Sequence, residues 1–298
     1  MKLKIILIAL FSLYFLKSNA QSKTTEIWLL DISKQNEKVV AGTPERLTDN
    51  DYYDNQPCFS KDGGLLWYVS MPDTIQTDIF EYNLRKKLTR QITNTPESEF
   101  QPQPIPFEKF KLSVVRIDDD KAQRFYSIQF DGSEPEPLMP NEDSVAYYTW
   151  MNDTTVGAYM LNGGNGVLHQ FDMKPQQSII LMTGGFGRCL ARIPGTDNLS
   201  YIQKSSDGKY LLMDYKMATE ERVPLVEMMP GVEDYCWAPD GKVFAGDKAK
   251  LYYIDTTLDE PKWVLVADFA KTVGTFYRMA MSPKGDKIAL VSYKGERP

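Results

Sequence analysis

Short hydrophobic runs separated by turns rich in Pro, Gly, Asp and Asn fill the chain from about residue 25 to residue 293. No window beyond the first twenty residues sustains a helical period, so these runs predict strands. A hydrophobic residue placed just before a tight turn recurs along them. It stands at Phe59-Ser60-Lys61-Asp62-Gly63, Trp150-Met151-Asn152-Asp153, Ile193-Pro194-Gly195-Thr196-Asp197, Trp237-Ala238-Pro239-Asp240-Gly241 and Met281-Ser282-Pro283-Lys284-Gly285, with a degenerate copy at Pro104-Ile105-Pro106-Phe107. Successive anchors are 45, 46, 43, 44 and 44 residues apart.

A second marker keeps the same period. Hydrophobic residues leading into Asp or Asn recur at Leu30-Asp31, Tyr82-Asn83, Phe130-Asp131, Phe171-Asp172, Met213-Asp214 and Ile254-Asp255. This pattern suits a strand ending in a turn where the Asx side chain bonds the backbone ahead of it. Each unit then holds four short strands, placed in the fifth unit at 234–237, 242–246, 250–255 and 263–266. Ser205-Ser206-Asp207-Gly208 imitates the anchor, but its register puts it between the second and third strands of the fourth unit. Four-stranded units of about 40–45 residues signal a β-propeller. Five units are complete. Residues 26–31 and 44–48 read as strands lacking a first half, and 277–281 and 287–292 as strands lacking a second. Joined, they form a sixth blade and close the ring, which removes an exposed seam of unpaired strand edges. The expected fold is all-β: a six-bladed propeller of four-stranded antiparallel blades, closed by N-terminal strands completing the last blade.

The repeat of Phe or Trp, a small residue, Pro or Lys, then Asp-Gly or Lys-Gly resembles that of the TolB-like β-propeller family. It is carried by residues 59–63, 237–241 and 281–285, with Leu47-Thr48 and Ile92-Thr93 closing strands. The resemblance spans about residues 25–293, and the anchors at 104, 150 and 193 depart from the pattern. It implies an exported six-bladed scaffold for binding, often in the bacterial cell envelope, and names no single ligand. Similar propellers also occur fused to hydrolase domains; nothing after residue 298 is expected to supply one.

Residues 1–20 have the composition of a cleavable signal peptide: Lys2 and Lys4, a twelve-residue apolar run at 5–16, and Ser18-Asn19-Ala20. The run falls short of the roughly 20 residues that span a bilayer, and no Cys follows it to carry a lipid. Residues 21–298 are therefore expected to form a single propeller domain, periplasmic or extracellular, without a membrane span once the signal is cleaved. Without Lys2, Lys4 and Lys17 the chain has 31 basic and 40 acidic residues, a net charge near −9. Such a balance argues against nucleic-acid binding, whose affinity comes largely from Lys and Arg. Cys58 and Cys236 fall at equivalent places in blades one and five, which are not neighbours in a six-membered ring. A disulfide between them is not expected, and all three cysteines read as small buried hydrophobes.

Candidate chemistry is sparse. His169 is the single histidine, placed mid-strand, and no G-x-S-x-G elbow presents a serine. Zinc sites draw on clustered His and Cys, which this chain lacks. No metal, cofactor or catalytic residue is expected. Asp118-Asp119-Asp120 reads as a solvated hairpin tip without the spacing of a calcium loop. Asn162-Gly163-Gly164-Asn165-Gly166 reads as a hairpin turn, and Gly184-Gly185-Phe186-Gly187-Arg188 leads into a strand, where a phosphate loop would need a helix.

Propeller loops entering the innermost strands gather at one mouth of the central channel. The residues expected there are Tyr53, Asp54, Glu99, Phe100, Tyr147, Phe186, Arg188, Asp234, Tyr235, Tyr277 and Arg278. Aromatic and Arg side chains are favoured at binding hot spots. The expected function is non-enzymatic: binding an envelope or secreted protein or peptide, one carrying positive charge if the acidic residues face it. Alternatives are a carboxylate-based enzyme or glycan-binding module on the same face, or an accessory module of another chain.

Overall fold

A computed structural model of the chain describes residues 24–294 except 37, 74 and 107. The segment read as a signal peptide lies outside the described residues. Among them there are 25 strands in six sheets and no helix. The N-terminal strands are β1 (Thr25–Gln35), β2 (Lys38–Ala41) and β3 (Glu45–Arg46). Blade one comprises β4 (Asp54–Phe59), β5 (Leu65–Ser70), β6 (Asp78–Asn83) and β7 (Leu88–Gln91). Blade two comprises β8 (Ser98–Pro104), β9 (Lys111–Ile117), β10 (Gln123–Gln129) and β11 (Glu136–Pro137). Blade three comprises β12 (Val145–Trp150), β13 (Thr155–Asn162), β14 (Asn165–Asp172) and β15 (Gln177–Thr183). Blade four comprises β16 (Phe186–Arg192), β17 (Leu199–Lys204), β18 (Tyr210–Tyr215) and β19 (Arg222–Glu227). Blade five comprises β20 (Tyr235–Trp237), β21 (Lys242–Asp247), β22 (Lys250–Asp255) and β23 (Val264–Asp268). The last blade is β24 (Phe276–Met281) and β25 (Lys287–Tyr293), completed by β1 and β3. The fold is the expected propeller ring.

Every anchor ends an innermost strand or, for Ile193, directly follows one. The Asx residues work as the turn chemistry requires. Asn83 Oδ1 accepts from Lys86 N at 2.9 Å, Asp131 Oδ1 from Ser133 N at 3.0 Å and Asp255 Oδ1 from Thr257 N at 3.1 Å. The two-residue turn at Gly163-Gly164 has φ of +53° and +97°, a conformation glycine adopts without steric strain.

Hydrophobic residues bury between blades, and the strand period of two sends alternate side chains to opposite neighbours. On β5, Leu66 and Tyr68 join Ile27, Ala289 and Val291 of the last blade, while Trp67 and Val69 join Leu112 and Val114 of blade two. On β21, Val243 and Ala245 meet Ile202 and Leu212 of blade four, and Phe244 meets Phe276 and Leu290 of the last blade. The six described core clusters each belong to one junction between neighbouring blades.

Polar pins repeat at two of these junctions. Tyr235 Oη and Trp237 Nε1 both donate to Ser200 Oγ, each at 2.8 Å, and Ser200 donates to Ala191 O at 2.9 Å. Tyr148 Oη and Trp150 Nε1 reach Ser113 Oγ at 2.8 and 2.9 Å, and Ser113 reaches Gln103 O at 3.2 Å. Both serines are fully buried. The strand-closing threonines have a matching use: Thr48 Oγ1 accepts from Ile27 N and Thr93 Oγ1 from Ile79 N, both at 2.9 Å.

Closure rests on β1 and β25, paired antiparallel from Thr25↔Tyr293 to Asp31↔Lys287. Trp28 Nε1 donates to Ser292 Oγ at 3.0 Å across that pair. The N-terminal segment differs from its sequence reading in one respect. Strand β1 continues past the sheet to Gln35 and turns back as β2, a hairpin the sequence pattern did not reveal, and the strand expected at 44–48 shortens to Glu45–Arg46. The hairpin buries Ile32 and Val39 in the cluster that holds Phe244 and Leu251 of blade five, and Lys34 pairs with Asp240 at 2.9 Å. The N terminus thus clasps two blades.

Removing residues 25–48 is expected to destabilise the entire ring, seen as a lower denaturation midpoint by every spectroscopic probe. Loss confined to one end, with an unchanged main transition, contradicts the closure account. Replacing Ser200 by Ala leaves two buried donors without an acceptor and is expected to destabilise by about 3 kcal/mol, since each orphaned donor costs roughly 1–3 kcal/mol. An unchanged urea midpoint contradicts the shared-acceptor role.

Candidate functional site

Strand order places the four-to-one connections and the two-three hairpins on one face of the ring, the mouth. Innermost strands begin there, and five of them lose register within a few residues of their start. The irregularities fall between Asn55 and Cys58, Phe100 and Gln103, Val145 and Tyr147, Phe186 and Leu190, and Phe276 and Arg278. A bulge re-aims side chains away from strict alternation. At Gln56 and Gln101 the backbone turns left-handed, with φ of +52° and +54°. Pro57 and Pro102 follow at once, in keeping with proline's confinement to sheet edges and bulges.

The result is a polar girdle around the channel, with one contributor or more from each blade. Arg278 Nη1 donates to Asn55 Oδ1 at 2.9 Å, and Asn55 Nδ2 donates to the Tyr277 hydroxyl. Gln101 N donates to Gln56 Oε1 at 2.7 Å, and Tyr148 N to Gln101 Oε1 at 3.1 Å. Arg188 Nη2 donates to Asp234 Oδ2 at 3.1 Å, and Arg278 Nε lies 4.0 Å from Asp234 Oδ1. The Tyr147 ring faces both guanidinium groups, 6.0 Å from that of Arg188 and 5.8 Å from that of Arg278. Below the girdle lies an axial cavity of about 350 Å³ to which the innermost strands of all six blades contribute.

Burial opposes the charge on Arg278, but Asp234 and the surrounding tyrosines outweigh it and hold the guanidinium more firmly protonated than usual. Tyr53, beside this group, has its hydroxyl pushed well up by burial. It also lines a smaller cavity of about 250 Å³ with Gln56, Phe100 and Tyr147. Three thiols reach the channel wall, and burial pushes those of Cys58 and Cys189 up to about 12 and that of Cys236 higher. They are free, protonated and poor nucleophiles.

Of the residues expected at the mouth, Tyr53, Tyr147, Arg188, Asp234, Tyr277 and Arg278 come together. Five do not. Asp54 is fully buried beside the mouth, its carboxylate accepting from Ser70 Oγ at 2.6 Å and Asn50 Nδ2 at 2.8 Å. Glu99 is 2% exposed and accepts from Thr93 Oγ1 at 3.0 Å and Thr95 Oγ1 at 2.5 Å. Phe100 packs into the clusters on either side of blade two. Phe186 sits edge-on between Tyr159 and Tyr201, and Tyr235 is the pin on Ser200. Phe100, Phe186 and Tyr235 turn toward a neighbouring blade, and Asp54 and Glu99 toward buried hydroxyls. Asn55, Gln56 and Gln101 were missed by the sequence reading. Their signal was the Gln-Pro pair repeated 45 residues apart, at 56–57 and 101–102.

On the cavity wall itself the charged groups are mostly basic. Two arginines face one aspartate, because Asp54 and Glu99 are spent between blades. Away from the channel, Asp118 pairs with Arg116 at 2.7 Å and Arg124 at 2.8 Å, and Asp120 pairs with Arg124 at 2.7 Å. His169 stands on β14, the third strand of its blade, 2.6 Å from Ser178 Oγ. Among the described residues no cluster of three or more His, Cys, Asp or Glu could hold a metal ion. Nor is any described helix long and apolar enough to cross a membrane.

Comparison with solved structures places this architecture. An assigned TolB from Agrobacterium tumefaciens superposes with a TM-score of 0.68 at 14% identity, covering 91% of this chain and 99% of that one. The fold is TolB-like. A chain of a nidogen–laminin complex matches this TolB-like propeller with a TM-score of 0.60 at 9% identity, covering 90% of this chain and 98% of that one. An oligogalacturonate lyase solved with manganese matches with a TM-score of 0.59 at 14% identity, covering 87% and 81%. No family model and no curated protein matches the sequence. At these identities the likeness concerns the TolB-like fold, which serves proteins of different activities.

Glu99 gives a prediction about pH. Burial raises its carboxyl to about 7, against an unperturbed 4.5. Between those values the folded state holds a proton that the unfolded state has released, so this group's contribution to stability falls as pH rises. Glu99→Gln is expected to remove about 3 kcal/mol of that pH dependence, at roughly 1.4 kcal/mol per pKa unit. Urea midpoints from pH 4 to 8 for both proteins check it; parallel curves contradict it.

Proposed function

We propose that this protein is an exported, non-enzymatic binding propeller that receives a segment of a protein or peptide partner at the mouth of its central channel. The observation that carries the reading is the convergence of Tyr53, Tyr147, Tyr277, Arg188 and Arg278 above an axial cavity. Tyr and Arg give contact area and directional hydrogen bonds, the composition of binding hot spots. Asp234 is the single carboxylate lining the cavity, which supports binding over two-carboxylate hydrolysis, where a pair must flank the bond. Export rests on the charged, apolar and small-residue pattern of residues 1–20, and the propeller then works in the periplasm or outside the cell.

The test is capture of partners from envelope extract by wild type and by a Tyr147→Ala, Arg188→Ala double variant. These side chains are half-buried at the mouth, so the ring should stay folded, as circular dichroism will verify. A partner retained by wild type and lost by the folded variant is expected. Identical capture by both moves the binding surface elsewhere, and turnover of an acidic polysaccharide by wild type overturns the non-enzymatic reading.

A further inference from the structure

We infer that the channel mouth is a receptor for a peptide carboxylate, with Arg188 and Arg278 as its anchors; this rests on the binding function proposed above. The charge balance is the first observation. Arg188 and Arg278 carry two positive charges and Asp234 returns one negative. Arg192 also lines the cavity, but it is already paired with Asp197 at 2.9 Å. Burial pushes the hydroxyls of the neighbouring Tyr53 and Tyr277 up, so these two add no negative charge. One positive charge is left over in a partly desolvated site, where an uncompensated charge is costly.

Unused donors are the second observation. Arg188, with 39% of its side chain exposed, donates one hydrogen bond, to Asp234. Arg278, with 15% of its side chain exposed, donates one hydrogen bond, to Asn55, and its Nε stands 4.0 Å from Asp234, beyond hydrogen-bond reach. A guanidinium has five N–H donors, so both arginines keep donors free for a ligand acceptor. Both guanidinium groups face Tyr147 from similar distances, so they border one common space. Guanidinium forks match the planar carboxylate, with two parallel N–H···O bonds.

Charge selects the ligand further. A carboxylate carries one negative charge and balances the site, whereas a phosphate dianion overshoots it beside Asp234. The cavity of about 350 Å³ is at the small end of ligand pockets, which run from about 300 to 1,000 Å³. It suits the tip of a peptide: either a free chain end or an Asp or Glu side chain on an extended segment. Tyr147 then covers the carboxylate's neighbouring apolar atoms, while the Asp234 carboxylate competes with the ligand for the two guanidiniums.

Calorimetric titration of the signal-cleaved protein tests this with five probes: N-acetyl-trialanine with a free C terminus, the same peptide amidated, N-acetyl-Ala-Asp-Ala-amide, trigalacturonate and inorganic phosphate. Binding of either carboxylate peptide and not of the neutral amide is expected, and the two arms separate a chain end from a side chain. Arg188→Gln should weaken it by about tenfold, the equivalent of one charge-assisted hydrogen bond. Asp234→Asn, by removing a competing negative charge, should strengthen it; damage to the site alone would weaken it. Equal binding of the neutral amide, no effect of Arg188→Gln, or binding of trigalacturonate or inorganic phosphate without either peptide overturns the inference. A partner still captured by Arg188→Gln but lost when Tyr147 is also replaced leaves the binding propeller standing and removes the carboxylate.

Discussion

Seven residue pairs between β1 and β25 hold the ring shut, and everything else in the structure presumes them. Without that ladder the last blade keeps only β24 and β25, and its faces toward blades one and five lose Ile27, Trp28 and Leu30. Wedge packing makes the loss cooperative, since each blade is half of two cores. A fully buried aliphatic or aromatic side chain contributes roughly 1.5–3 kcal/mol, so three removed from two interfaces take away a large share of the roughly 5–15 kcal/mol by which a domain is stable. The β1–β2 hairpin adds a second hold by reaching across to blade five, a place no sheet requires it to be.

Polar groups are divided between two jobs. Ser113, Ser200, Thr48 and Thr93 satisfy buried donors at blade junctions, and Asp54 and Glu99 are drawn into the same work. The girdle at the mouth stitches blades too, through Gln56–Gln101 and Arg278–Asn55, yet it is not self-satisfied. Its charge does not cancel and its arginines keep donors free. The serine pins, by contrast, are neutral and shared by two donors each. That contrast is why the channel reads as a place for a ligand.

Much of the fold was legible because a four-stranded blade imposes a period of its own. Anchors at Phe59, Trp237 and Met281, and the Asx residues from Asp31 to Asp255, mark strand ends, so the number of blades and their boundaries follow even where Pro104, Trp150 and Ile193 break the motif. Half-units at the two ends imply closure for the same reason. The hairpin of residues 32–41 left no such mark, because its partner is a surface of blade five distant in sequence.

The site was legible only in part. Sequence placed Tyr147, Arg188, Asp234, Tyr277 and Arg278 near the mouth because they open innermost strands. It could not separate them from Phe186 and Tyr235, which open the same strands and yet pack between blades. The difference lies in the local path of each innermost strand, in three of these blades a loss of register with its neighbour, which has no one-residue signature. Nor could it tell that Asp54 and Glu99 are hydrogen-bonded inside junctions, which leaves Arg188, Arg278 and Asp234 facing one another on the cavity wall. The sequence by itself determined the ring, its blade count and its closure, since those depend on local periodicity. Tertiary structure alone decided which side chains face the axis and what charge they carry, since both depend on how six separate strands shift and pair around a common centre.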